Sequence, residues 1–183
     1  LGFLSCDKKS EDEVSLPSLS FQGEEIVMRD GLIIDLNKNT YDGIVYSNLH
    51  ISLNDLGFSP YKDTILDIER YAQLQDARKG LTFYLIYPGE QVRGGTFTFR
   101  EDLRDSTGTV VVDNFLGRDV LMDGFYAENI WDRSTGNYAI TGGSVTLRGS
   151  SPSSMSLSVD LELDSALKMT GSYANGFKLE VWK

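Results

Sequence analysis

The sequence predicts an all-β domain, an antiparallel meander closing as a β-sandwich or calycin-like barrel, with at most one helix. Three observations predict it. Leu157, Val159, Leu161 and Leu163 alternate strictly with Ser158, Asp160, Glu162 and Asp164, a period of two that buries one face of a sheet and wets the other. Residues 81–87 form a near-continuous apolar run closed by Pro88 and Gly89, the mark of a buried central strand. Short turns rich in Gly, Asn and Ser join the strand segments, and neighbours joined that way pair antiparallel.

The elements follow in chain order. Residues 7–20 are charged and Ser-rich, with no period; they read as a flexible tether with an r.m.s. reach of roughly 20 Å. One β domain then spans 21–183. Residues 25–36 carry Ile26, Met28, Leu32, Ile33 and Ile34, with Asp30-Gly31 as a turn or bulge. Residues 37–40 are turn chemistry, and residues 41–53 end in the alternating Leu49, Ile51 and Leu53. Residues 63–79 admit two readings. Ile65, Ile68, Tyr71, Ala72 and Leu74 fit a helix with Asp63 as N-cap and Gly80 after its end, or an irregular strand-and-loop segment. Thr96 to Phe99 is a further alternating piece. Tyr138 and Ile140 alternate on even numbers and Val145 and Leu147 on odd ones, so the phase slips at Gly142-Gly143. That slip predicts a β-bulge in one long bent strand. Strands over 167–173 and 177–182 complete the domain.

A chain of 183 residues buries about 70% of its unfolded surface, enough to fold without disulfides or a structural metal. Its net charge of -10 argues against nucleic acid, whose phosphates call for Lys and Arg patches. The same charge favours solubility and repels the domain from anionic lipid. No segment reaches the ~18 consecutive apolar residues of a membrane-spanning helix.

Cys6 is the sole cysteine, so no intramolecular disulfide framework exists. It follows Leu1-Gly2-Phe3-Leu4-Ser5 and precedes Asp7-Lys8-Lys9-Ser10-Glu11-Asp12-Glu13. This order resembles a bacterial lipoprotein processing site, with Leu4 and Ser5 fitting the pattern and Phe3 standing where Leu is usual. The acidic stretch behind Cys6 is similar to the export signal of Bacteroidetes-type surface lipoproteins. The resemblance implies lipidation at Cys6, a signal peptide lying mostly upstream of Leu1, and an outer-membrane, surface-exposed location. Each buried CH₂ adds roughly 0.8 kcal/mol of membrane affinity, so two or three acyl chains anchor the chain durably.

The segment from about Gly94 onward resembles a recurrent uncharacterised domain of the same lipoproteins. The pattern is Gly136-x-Tyr138-x-Ile140-x-x-Gly143-x-Val145-x-Leu147, then the 157–163 alternation, then Met169-x-Gly171-x-Tyr173. These are turn glycines and core-face apolars, so the likeness implies a β-sandwich or lipocalin-like fold and no activity.

Catalytic and metal signals are weak. His50 is the only histidine and lies opposite Leu49 and Ile51; without a Gly-x-Ser-x-Gly elbow it reads as a surface or edge side chain. One His and one terminal Cys fall short of a structural zinc set. Asp35-Leu36-Asn37-Lys38-Asn39 opens like a calcium loop, but Thr40 and Tyr46 stand where Gly and Glu are needed, and a hairpin turn explains the same residues. Asp160, Glu162 and Asp164 form an outward acidic row at a spacing that overlaps that of glycosidase carboxylates; a solvated strand face accounts for it. No cofactor is implied.

The sharpest binding candidate is Trp131 with Asn129, Asp132 and Arg133 beside it. An exposed indole among hydrogen-bonding groups makes a sugar platform, whereas a strand-end Trp can equally belong to the core. Trp182 is assigned to packing. The functional expectation is a lipid-anchored, non-enzymatic binding or accessory protein of the cell surface, taking a glycan or another small ligand. The alternatives are a structural or adhesive module that pairs with an envelope protein, and a carboxylate-based glycoside hydrolase.

Overall fold

Alternation in the sequence becomes strand pairing over most of the chain. The computed structural model describes residues 17–36, 38–74, 76–101, 114–121, 125–127, 130–132 and 137–182, with backbone alone for Tyr41, 114–121, 125–127, 130–132 and Asn137. Its strands are β1 (Ser18–Phe21), β2 (Glu24–Val27), β3 (Asp30–Asp35), β4 (Asn39–Tyr41), β5 (Ile44–Asn54), β6 (Phe58–Asp63), β7 (Ile68–Gln73) and β8 (Gly80–Pro88). They continue as β9 (Gly95–Phe99), β10 (Asn114–Leu121), β11 (Phe125–Ala127), β12 (Ile130–Asp132), β13 (Asn137–Arg148), β14 (Ser156–Leu163), β15 (Lys168–Tyr173) and β16 (Lys178–Val181).

One large sheet runs in the order β16-β3-β5-β8-β10-β9-β13-β14-β15-β1-β2, with β4 attached to β5. It rolls over its own apolar face into an open all-β sandwich. Its end strands β16 and β2 do not pair, so it is not a closed barrel. Leu49, Ile51 and Leu53 of β5 and Leu81, Phe83 and Leu85 of β8 share one core with Leu157, Leu161 and Met169 of the opposite layer. The run over 81–87 is central as expected, flanked by β5 and β10. On β14 the odd-numbered Leu157 to Leu163 are buried and Ser158, Asp160 and Glu162 exposed.

The phase slip is a bulge. Ile140 opposes Leu163 while Gly142 opposes Glu162, which leaves Thr141 as the extra residue. Gly143 has φ +100°, and a Cβ there would overlap the Asp160 carbonyl; only glycine fits.

Several expectations are corrected. The first strand begins at Ser18, and Leu19 is fully buried, so the tether ends sooner than residue 20. Asp30-Gly31 opens β3 rather than forming a turn. Its glycine is needed because a Cβ would lie 2.6 Å from the Phe177 ring. Among the described residues of 63–79 there is no helix: they contribute the end of β6, a turn and β7. Ile65, which a helix would bury, is 90% exposed, so the amphipathic stripe has no core to meet. Asp63 does cap amides, but those of a turn. Among the described residues only two short 3₁₀ turns are helical, Pro152–Ser154 and Asp164–Ala166. Two pairings, β16 with β3 and β9 with β10, are parallel and depart from a simple meander. Both sides of β15 are taken, by β14 and β1. The chain after Tyr173 therefore switches layers, and β16 arrives beside β3 in the same direction.

Candidate functional site

The β6–β7 hairpin is a separate two-stranded sheet that folds across the outer face of β16 and β3. Two buried or half-buried carboxylates fasten it. Glu180 of β16 is only 4% exposed, a costly place for a charge unless it is well partnered. Its Oε2 accepts the Tyr71 amide at 3.0 Å and its Oε1 accepts the Trp182 indole N–H. Arg70 Nε lies 3.9 Å from the same Oε1 and 3.2 Å from Asp63 Oδ2. Asp30 of β3 is the second fastening. Its Oδ2 accepts the Phe58 amide at 3.1 Å and pairs with Lys178, whose ammonium also donates to the Phe58 carbonyl at 3.0 Å.

This clamp orders three planar side chains across three strands. Tyr61 stands opposite Arg70 in the hairpin register, and such cross-strand neighbours have Cβ atoms about 5 Å apart. The Arg70 guanidinium carbon then sits 4.5 Å from the Trp182 ring centroid, a stacking that holds both groups. Tyr61 remains 47% exposed and Trp182 39%. Beside the row lies an open cleft of about 290 Å³ lined by Pro60, Tyr61, Lys62 and Glu69.

The electrostatics are self-contained. The Leu66 amide above all holds the Asp63 carboxyl below the usual aspartate range; burial opposes it, and the Ile65 amide and the Arg70 charge add to the lowering. Burial, followed by the hydrogen bond and charge of Glu69, raises the Tyr71 phenol, which donates to Glu69 Oε1 at 3.0 Å. Arg70, Lys178 and Lys62 each face a carboxylate, those of Asp63, Asp30 and Asp67 respectively. The patch therefore offers aromatic surface and hydrogen-bonding groups, with each of its cations already facing a carboxylate.

The residues singled out in the sequence are dispersed. Cys6, Asn129 and Arg133 lie outside the described residues. Trp131 and Asp132 lie on β12, which pairs with β11 in a two-stranded ladder where Trp131 opposes Tyr126. His50 is not at an edge: β5 runs between β3 and β8, and the imidazole stacks on Tyr84 with centroids 4.8 Å apart. Asp35 is paired with Lys38 at 2.6 Å. The acidic row of three is a row of two, since Asp164 leaves the strand into a turn. No group of three or more His, Cys, Asp or Glu among the described residues is placed to hold a metal ion.

Trp182, assigned to packing, is the described tryptophan that reaches solvent. A signal for it was present: Lys178, Glu180 and Trp182 share one phase of the terminal strand, and Phe177, Leu179 and Val181 share the other. That phase puts Trp182 on the face of Glu180 but does not give its exposure, since Glu180 is 4% exposed while Leu179 and Val181 are 40% and 44%. Arg70 was missed because the helical alternative over 63–79 obscured which residues share a face, and Tyr61 because no strand was assigned where β6 lies.

Comparison with protein families, with curated proteins and with solved structures gave no match to this chain.

Proposed function

We propose that this chain is a non-enzymatic binding protein that takes a neutral glycan, or a small ligand of similar chemistry, on the Tyr61–Arg70–Trp182 row. The observation that carries the reading is the held indole. Trp182 is fixed through its N–H by buried Glu180 and on one side by Arg70, yet stays 39% exposed, while Tyr61, opposite Arg70, lines an open cleft. A sugar ring has an apolar C–H face that stacks on such an indole and hydroxyls that suit Lys62 and Glu69 in the cleft. Because the nearby cations already face carboxylates, a neutral ligand is favoured over an acidic one. Rigid aromatic platforms with few polar groups are the usual makings of a binding site.

The anchoring half of the proposal rests on the sequence. Cys6 with the acidic run behind it supports a lipid-anchored protein on the outer surface of a Gram-negative outer membrane, of the Bacteroidetes lipoprotein type. In that setting a glycan-binding face would serve capture of, or adhesion to, polysaccharide.

Calorimetric titration with a panel of neutral and acidic oligosaccharides tests the ligand reading. Trp182→Ala should weaken binding of a neutral oligosaccharide by roughly tenfold or more, with a stability loss of about 1–3 kcal/mol because the buried Glu180 oxygen loses its indole donor. Unchanged affinity in both Trp182→Ala and Tyr61→Ala would refute the site. For the anchor, Cys6→Ser in the full precursor should move the protein from the membrane to the soluble fraction; continued retention would refute lipidation.

A further inference from the structure

The turn of the β6–β7 hairpin carries the most exposed apolar side chain of the described residues, Ile65 at 90%, next to Leu66 at 56%. Isolated surface apolar residues are ordinary, but this pair sits at an apex built to hold it. The Ile65 and Leu66 amides both donate to Asp63 Oδ1, at 2.9 and 3.0 Å. Asp67 adopts a left-handed φ of 53°, and Lys62 pairs with Asp67 at 2.6 Å across the base of the turn. On the same hairpin lies the open cleft, with Pro60 and Tyr61 as apolar walls and Lys62 and Glu69 as charges of opposite sign. A knob and a hole on one patch are what a contact about a twofold axis requires, since the patch must complement itself.

We infer that this hairpin is a self-association element, in which the Ile65–Leu66 apex of one copy seats in the Pro60–Glu69 cleft of a second copy and the reverse holds across the axis. The charges agree with that occupant. Lys62 and Asp67 are 70% and 81% exposed, so their pair contributes little within one chain and can re-form between hairpins. A bilayer fits less well: Asp63, Asp67 and Glu69 surround the apex and the chain carries a net charge of -10, whereas interfacial segments are basic. Edge-to-edge strand addition along β6 is opposed by Pro60, which has no N–H to donate. The contact is small, at or below the ~1,200 Å² of weak, transient complexes. Crowding of copies on one surface raises their effective concentration and compensates for a weak contact. The cleft is the one that offers Lys62 and Glu69 to the proposed ligand, so a bound oligosaccharide and a second copy exclude one another there, and the dimer is read without ligand.

Sedimentation velocity of the full 183-residue chain without lipid, from about 1 µM to about 1 mM, tests it. The wild type should pass from monomer to dimer with concentration. Ile65→Asp should weaken the dimer by roughly tenfold or more, with the melting temperature unchanged because the side chain is exposed. Ile44→Asp is the control, at an apolar site 49% exposed and off the hairpin, and should dimerise as the wild type does. Leu66→Asp provides a second variant should Ile65→Asp lose stability. A wild type that is monomeric throughout, or a dimer indifferent to both hairpin variants, overturns the inference. So does binding to phosphatidylglycerol vesicles that Ile65→Asp abolishes while no dimer forms, which would assign the apex to a membrane.

Discussion

Two parts of the one sheet handle their outer faces in opposite ways. Along β14 and β15 the alternation is clean: the odd-numbered Leu157 to Leu163 are buried, while Asp160 and Glu162 are exposed. Along β16, β3, β5 and β8 the outer face is covered in part. Ser52, Asn54, Thr82 and Glu180 are all buried there although they are polar. The difference teaches where to look for function. A bare polar face needs only solubility, whereas over β16 and β3 the buried Glu180 and half-buried Asp30 are covered by a second layer that they hydrogen-bond, the β6–β7 hairpin with its aromatic row.

The comparison can be broken most forcefully at the shared core. Leu161→Ala removes a fully buried side chain of β14 and should lower stability by about 2–5 kcal/mol in urea unfolding, with ligand affinity unaltered in the fraction that stays folded. A loss of binding at constant stability would mean that the two layers are coupled in a way the packing does not show. Next in size is Glu180→Ala. It leaves the Tyr71 amide and Trp182 indole without their acceptor and Arg70 without one of its two carboxylates. A stability loss of about 1–3 kcal/mol is expected, together with weakened ligand binding. Glu180→Gln keeps an acceptor and should cost less; an equal loss in both would point to charge rather than hydrogen bonding.

How much of this was legible follows from the same contrast. The meander could be read residue by residue because one buried face imposes period 2, and even the bulge was visible as a slip at Gly142-Gly143. The hairpin could not. Its side chains answer to Glu180 and Asp30, which lie 109 and 28 residues away from the amides they accept, and no local period encodes such contacts. Asp63 shows the limit well: a capping residue was rightly suspected, but an Asp that caps a tight turn looks the same in sequence as one that caps a helix. The parallel arrival of β16 was likewise hidden, since it depends on β1 having already occupied the free side of β15. At the candidate site, the face of Trp182 was open to a phase argument, whereas the choice between Tyr61 and any other surface tyrosine required the register.

Acid should loosen the hairpin before the meander. Asp63 has its pKa held below the ordinary 3.8, first by the Leu66 amide. A depressed carboxylate contributes stability that is present above its unfolded pKa and is lost as pH falls through the folded one. Below about pH 4 the Ile65 and Leu66 amides should therefore exchange hydrogen faster, after correction for the intrinsic effect of pH. In Asp63→Asn that added acid sensitivity should be gone; if it persists, another group controls the turn. The smallest effect is expected on the bare face. Asp160→Ala with Glu162→Ala should change stability by no more than about 0.5 kcal/mol per site and leave ligand binding alone; a loss of either would show that this face is used after all.

The chain has two tryptophans, and their indole N–H signals report on both candidate platforms in a single ¹H–¹⁵N spectrum. Titrating the intact protein with the neutral oligosaccharide that binds best should shift the Trp182 indole signal along a saturating curve, together with amides of Tyr61 and Arg70, while that of Trp131 stays in place. Saturating movement of the Trp131 signal with Trp182 unmoved would contradict the account and place the ligand at the β11–β12 ladder instead.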